Sequence, residues 1–175
     1  MSKKIAFLLS SYFEQAEYAE VDQLLIDKGH QTVLITTNDQ KQVQGMKSDV
    51  DKADTFTADL FLKEANPEDY DAVVLPGGTV NADTIRIDKA AQDFVKSFYN
   101  NGKLVAAICH APWLLINTGL VKGKTLTAYP SLQTDIENAG GTFVDKKVQQ
   151  HGNIITSRNP DDIPAFAAAI DEALI

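Results

Sequence analysis

Short apolar runs rich in β-branched residues alternate along the chain with stretches whose apolar positions recur every three to four residues. Ile5-Ala6-Phe7-Leu8-Leu9, Thr32-Val33-Leu34-Ile35-Thr36, Asp71-Ala72-Val73-Val74-Leu75, Leu104 to Ile108 and Ile154-Ile155-Thr156 read as strands, and Thr125-Leu126-Thr127-Ala128 as a further one. Residues 16–28 predict a helix stopped by Gly29. Residues 88–101 predict another, with Ala91, Phe94, Val95 and Phe98 on one face and Gly102 at its end. Pro112 to Asn117 and residues 131–138 predict short helices. A final helix starts near Asp161-Asp162, with Pro164 in its first turn and a stripe of Ile163, Phe166, Ala167, Ile170 and Leu174. Residues 42–60 are polar and partly alternating, a small β excursion.

Strands that are apolar without alternation are buried on both faces. Interleaved with helices, they predict an α/β fold with a parallel sheet covered on both sides. The 175 residues suit one domain, residues 1–175, and the 10 Gly and 6 Pro sit singly at breaks rather than in linkers. The formal net charge of −8 argues against a nucleic-acid or anionic-membrane partner, because an acidic surface repels phosphates. One cysteine excludes an intrachain disulfide and four-cysteine metal sites, and no metal-ligand spacing appears. Met1-Ser2-Lys3-Lys4 precedes only five apolar residues before acidic ones, too few for a secretory segment. A cytoplasmic protein with a reduced thiol is the expectation.

In parallel sheets, ligands bind beyond the carboxyl ends of the strands, so the residues just after each strand carry the chemical signal. Leu104 to Ile108 runs straight into Cys109-His110-Ala111-Pro112. Small residues flank the sole cysteine at Ala107 and Ala111, the steric requirement of a sharp strand-to-helix elbow that presents a nucleophile. A thiol at a helix start is biased toward thiolate, although most lone cysteines are small buried hydrophobes. His110 adjoins it, while His30 and His151 read as surface residues. Pro76-Gly77-Gly78 follows a strand on the same edge, where paired glycines let backbone N–H groups approach an oxyanion. Glu14 follows the first strand and puts a carboxyl group on that edge, within reach of the thiol. Gly119 to Thr125 imitates a phosphate-binding loop but has one residue too few between its glycines and precedes a strand, so it is rejected.

Leu75-Pro76-Gly77-Gly78, Ala107-Ile108-Cys109-His110-Ala111-Pro112 and Thr156-Ser157-Arg158-Asn159-Pro160-Asp161-Asp162 together resemble the ThiJ/PfpI superfamily, and within it the PfpI-type intracellular proteases and general-stress proteins. The similarity runs from Lys4 through the last helix. It implies a flavodoxin-like three-layer α/β/α sandwich with a mainly parallel central sheet and a nucleophile elbow. It implies Cys109 as nucleophile, His110 as general base or acid, and Glu14 as the carboxylic acid contacting the thiol. Gly78, with Gly77 beside it and the His110 N–H, matches the oxyanion site, and Tyr129 an aromatic wall. Asp83 matches an acid that orients the histidine from a neighbouring subunit, implying a homo-oligomer, dimer or hexamer. Ala111 stands where the family usually has Gly.

Two enzyme chemistries share these residues, both free of cofactors. The first is hydrolysis of a peptide or amide by a stress-response peptidase or amidase. The second is conversion of methylglyoxal or its adducts to lactate by a glyoxalase or protein deglycase. A redox-sensing stress chaperone is the non-enzymatic alternative, because an exposed low-pKa thiol oxidises readily.

Overall fold

The computed structural model describes all residues, 1–175. Its centre is a seven-stranded sheet of β1 (Lys4–Leu9), β3 (Gln31–Thr36), β6 (Leu60–Phe61), β7 (Ala72–Leu75), β8 (Leu104–Ile108), β11 (Gln149–His151) and β12 (Ile154–Ser157). Their order is β11-β12-β8-β7-β1-β3-β6. Every neighbouring pair is parallel except β11 with β12, an antiparallel edge. The mainly parallel sheet read from the apolar runs is therefore present.

Because successive side chains of a strand face opposite ways, each apolar strand feeds two cores. Ala6 and Leu8 of β1, Val73 and Leu75 of β7, and Val105 and Ala107 of β8 join one cluster of 24 buried residues. Phe94, Val95 and Phe98 of α3 (Lys89–Asn100) and Leu114 of α4 (Pro112–Asn117) complete that face. Ile5, Phe7, Leu9, Val74, Ala106 and Ile108 join a second cluster of 21 residues. Val21 and Leu25 of α1 (Gln15–Asp27) and Phe166 and Ile170 of α6 (Ile163–Ala173) cover it. Helix α3 starts where its sequence directs: the Asp88 side chain accepts the Ala91 N–H at 3.1 Å as an N-cap.

The chain runs outward from β1 through β3 to β6, then returns to β7 and proceeds the other way through β8 to β12. The reversal falls between β1 and β7. At such a switch point the connections leave in opposite directions and open a crevice at the carboxyl edge. The ends of β1, β7 and β8 lie side by side there.

Residues 42–60 form the β excursion: β4 (Gln42–Lys47) and β5 (Asp51–Thr57) make a hairpin joined by β2 (Phe13–Glu14). The strand placed at 125–128 is shorter, β9 (Thr125–Leu126), and it pairs with β10 (Thr142–Phe143) outside the main sheet. The helix at 131–138 is divided into a 3-10 turn at Pro130–Leu132 and α5 (Gln133–Asn138). A further helix, α2 (Thr79–Ile85), follows Gly78.

His30 is not a surface residue. Its ring is buried between the chain's two ends, with Nδ1 accepting the Lys3 N–H at 3.2 Å and Nε2 meeting Asp171 at 2.8 Å. Those two partners satisfy both ring nitrogens, which is what makes burial of an imidazole tolerable. His151 is exposed.

Candidate active site

The strand β8 ends in a single strained residue. Cys109 has φ +64°, a left-handed conformation that costs a non-glycine residue about 1–3 kcal/mol and persists only when its surroundings enforce it. Here they do. The Cys109 N–H donates to the Ser157 carbonyl at 3.0 Å, and the Cys109 carbonyl accepts the Tyr129 N–H at 2.9 Å. The elbow backbone is thus clamped between the end of β12 and the segment after β9. Cys109 is only 7% exposed, at the floor of a pocket of about 260 Å³.

His110 follows in the turn. Its Nδ1 lies 3.2 Å from the Cys109 sulfur, and its ring stacks on Tyr129 with centroids 4.5 Å apart. Trp113 meets the imidazole edge-on at 5.2 Å and anchors its own indole N–H on Asp135 at 3.0 Å. The adjacency of thiol and imidazole is therefore a real contact, held by two aromatic rings. Burial pushes the His110 pKa down, opposed by the charge of Asp49, so the ring favours its neutral form.

The carboxyl group against the thiol is Glu17, where the family resemblance placed Glu14. Helix α1 begins at Gln15, and its buried stripe is Glu17, Val21 and Leu25. Glu17 heads that stripe and points into the sheet's carboxyl edge, while Glu14 sits one turn earlier and faces outward. The Glu14 carboxylate accepts the Ser48 and Asp49 N–H groups at 2.9 and 3.2 Å and lines the pocket mouth. Glu17 is completely buried; its Oε1 accepts the Gly77 N–H at 2.9 Å, and its side chain interacts with the Cys109 thiol. Its Oε2 is buried with no well-formed hydrogen bond.

Burial, reinforced by the charge of Glu14, holds the Glu17 carboxyl well above the usual carboxylate range. Burial and the charge of Glu17 push the Cys109 thiol up, and the His110 backbone N–H acts in the opposite direction. The two groups are coupled: a carboxylate beside the sulfur disfavours thiolate, whereas a neutral Glu17 relieves the repulsion and can donate its proton to the sulfur. The helix-start argument for thiolate is thus outweighed by burial, to which the charge of Glu17 adds.

Pro76-Gly77-Gly78 forms the wall opposite. A Cβ on Gly77 would lie 2.5 Å from Glu17 Oε1, 2.8 Å from the Ile108 carbonyl oxygen and 2.9 Å from Cys109 Cβ. No side chain fits between the carboxyl and the thiol. Gly78 has φ +88°, and a Cβ there would meet the Glu14 nitrogen at 2.5 Å. Asn81 fixes this loop by donating to the Pro76 and Gly77 carbonyls at 3.0 and 2.8 Å while accepting the Ser10 N–H at 2.7 Å. The Gly78 and His110 N–H groups have no backbone acceptor. Both residues line the Cys109 pocket, and the His110 N–H faces the sulfur. Gly78→Ala is expected to lower stability by at least about 2 kcal/mol through strain and overlap, read by urea unfolding, with loss of whatever Cys109 chemistry is assayed.

Asp83 lies on the exposed side of α2 and is not part of the pocket wall. Within the chain no acid orients the His110 ring, whose neighbours are Cys109, Tyr129 and Trp113. Sequence reasoning passed over Glu17, Ser48 and Asp49. Glu17 carried a readable signal: it stands at i−4 and i−8 from Val21 and Leu25, an acid at the head of an apolar stripe. Ser48 and Asp49 carried none, because the hairpin that delivers them is remote in sequence.

A strained thiol on the loop after a central parallel strand, with a buried acid beside it and a glycine pair opposite, defines a cysteine-elbow site on a flavodoxin-like sandwich. Residues 3–173 match the DJ-1/PfpI family, and the chain belongs to that family. It is 40% identical to General stress protein 18 of Bacillus subtilis (strain 168), over 95% of this chain and 94% of that protein. It is 38% identical to Protein/nucleic acid deglycase 2 of Escherichia coli (strain K12), over 95% of this chain and 94% of that one. Among solved structures it resembles Drosophila melanogaster DJ-1beta, with a TM-score of 0.90, 32% identity, and coverage of 99% of this chain and 91% of that one. No helix is long and apolar enough to cross a membrane.

Proposed function

We propose that this chain is a cysteine-dependent, stress-protective enzyme of the cytoplasm that attacks small dicarbonyl compounds such as methylglyoxal, or their adducts, and releases a hydroxy acid. The observation that carries this reading is the buried Glu17 carboxyl against the Cys109 thiol in a pocket of about 260 Å³. That volume lies below the range of about 300–1,000 Å³ that suits larger ligands. It accommodates a three-carbon aldehyde or one modified side-chain tip better than an extended peptide.

The Cys109 sulfur adds to the aldehyde carbon, forming a C–S bond and an alkoxide that faces the Gly78 and His110 N–H groups. Glu17 delivers a proton to that oxygen, giving a hemithioacetal. A base, Glu17 or His110, removes the C1 proton while the C2 oxygen takes one, giving an enediol. C2 then receives a proton and the C1 hydroxyl gives its own up, so that a hydroxy thioester replaces the ketone-bearing adduct. Water then cleaves the thioester and the thiol regains its proton. The sum is one dicarbonyl plus one water to one hydroxy acid, with no external oxidant or reductant.

Hydrolysis of an amide or peptide is the second reading, and the 3.2 Å contact of His110 with the sulfur favours it, since a leaving amine needs a proton donor there. That route needs an acid to orient His110. Asp83 from a neighbouring copy would supply one, and Val80 and Ile87 on and beside the same helix are exposed apolar residues suited to a homo-oligomer contact. Enzymatic lactate detection with methylglyoxal, in buffer free of amines and thiols, separates the two. Lactate release is expected; a chain that makes no lactate but cleaves amide substrates would establish the second reading.

A further inference from the structure

The turn between β4 and β5 closes one side of the Cys109 pocket and brings a second exposed-side carboxylate to it. Ser48 and Asp49 both have positive φ, +53° and +65°, so the turn offers both of its N–H groups to Glu14. The Asp49 carboxylate in turn accepts the Thr79 N–H at 2.8 Å and the Thr79 hydroxyl at 2.7 Å. Asp49 is thereby fixed in the pocket wall, tied to β2 on one side and α2 on the other. Three acids therefore line the pocket, Glu14, Glu17 and Asp49, and neither Lys nor Arg does. Lys47 borders a separate depression on the far side of Glu14, and Arg158 is engaged by Asp145 and Asp162.

Burial disposes Glu17 to be neutral, so its unpartnered Oε2 suits a hydroxyl or a sulfur rather than a cation. Asp49 differs: it is half-buried and its charge reaches Glu17, the Cys109 thiol and His110 alike, favouring the protonated form of each. An incoming group with its own negative charge meets that field where solvent screening is weakest.

We infer that Asp49 is a specificity-determining residue that turns carboxylate-bearing electrophiles away from Cys109 and admits neutral or cationic carbonyl compounds. The inference rests on Cys109 being the nucleophile and deepens that reading by naming the charge class of its substrate. Addition of sulfur to a carbonyl already creates an oxyanion, so a second negative charge on the electrophile meets both that charge and Asp49. Two like charges about 6 Å apart at an effective dielectric near 40 give roughly a tenfold rate penalty.

Alkylation of Cys109 by iodoacetamide and by iodoacetate tests this directly. In both, the thiolate displaces iodide and a C–S bond forms, so the reagents differ chiefly in charge. Cys109 is the only cysteine, so intact mass follows it alone. The iodoacetate to iodoacetamide rate ratio is expected to fall at least about tenfold below that of free cysteine. In Asp49→Asn, which keeps an acceptor for Thr79, the ratio should recover by roughly three- to tenfold, the iodoacetamide rate reporting any general change in the thiol. Should that variant not fold, the wild-type gap must narrow between low salt and about 0.5 M salt. A free-cysteine ratio in the wild type overturns the inference, as does an unchanged ratio in folded Asp49→Asn. If neither reagent alkylates Cys109, the nucleophile reading itself falls, and this inference with it.

Discussion

Cys109→Ser is expected to abolish lactate formation from methylglyoxal, with a loss on the order of a thousandfold or more, while the protein keeps its fold. The hydroxyl is smaller than the thiol and fits the elbow without overlap, so the strained φ of +64° and its two backbone clamps should persist. The chemistry is not expected to survive. A serine hydroxyl is far less acidic than a thiol, and the site holds no strong base for it. His110 has its pKa lowered by burial, and Glu17 is disposed to carry a proton rather than take one. Steady-state kinetics of the variant beside its circular dichroism spectrum and urea midpoint distinguishes lost chemistry from lost structure.

Glu17→Gln is expected to lower turnover by about 10²–10⁴-fold, the usual scale for removing a positioned acid or base. The same change is expected to make the protein more stable at neutral and alkaline pH. The new amide oxygen can keep the Gly77 N–H bond, and a buried ionisable group is gone. The carboxyl of Glu17 holds its proton to a higher pH in the fold than in the unfolded chain. Over the window from the ordinary carboxylate range up to the raised value, the folded state therefore binds more protons. Stability is greatest below that window and declines as pH rises through it. In the Glu17→Gln variant that decline disappears, and unfolding at pH 8 should require more than about 1 kcal/mol of additional free energy. Urea midpoints across pH 5–9 for the two proteins, beside kcat, check both halves. A loss of activity without the change in pH dependence would mean that Glu17 is ionised in the fold.

The elbow was legible because its requirements are local. A fully apolar strand, small residues at 107 and 111, and a helix start at Pro112 leave few alternatives for the residue between them. The sheet was legible for the same reason, each central strand being a continuous apolar run. What escaped depends on partners far away in sequence. Strands β6 and β11 have two and three residues, and only their neighbours β3 and β12 make them strands. His30 looked like a residue after a helix stop, yet Asp171, 141 positions on, makes its burial possible. Glu14 and Glu17 are one helical turn apart, and the register of α1 decides which acid enters the core. Attention to strand ends alone favours Glu14, whereas the helical stripe beginning at 17 picks the other. Asp49 needed the hairpin itself.

The proposed chemistry turns on one bond, that between the Cys109 sulfur and the substrate carbonyl carbon. The most direct test is a graded alkylation with iodoacetamide in which lactate formation and the fraction of Cys109 modified are measured on the same samples. Activity is predicted to fall in strict proportion to modification and to vanish when Cys109 is fully blocked, with methylglyoxal slowing the alkylation. Undiminished lactate formation by a fully alkylated protein would contradict the account.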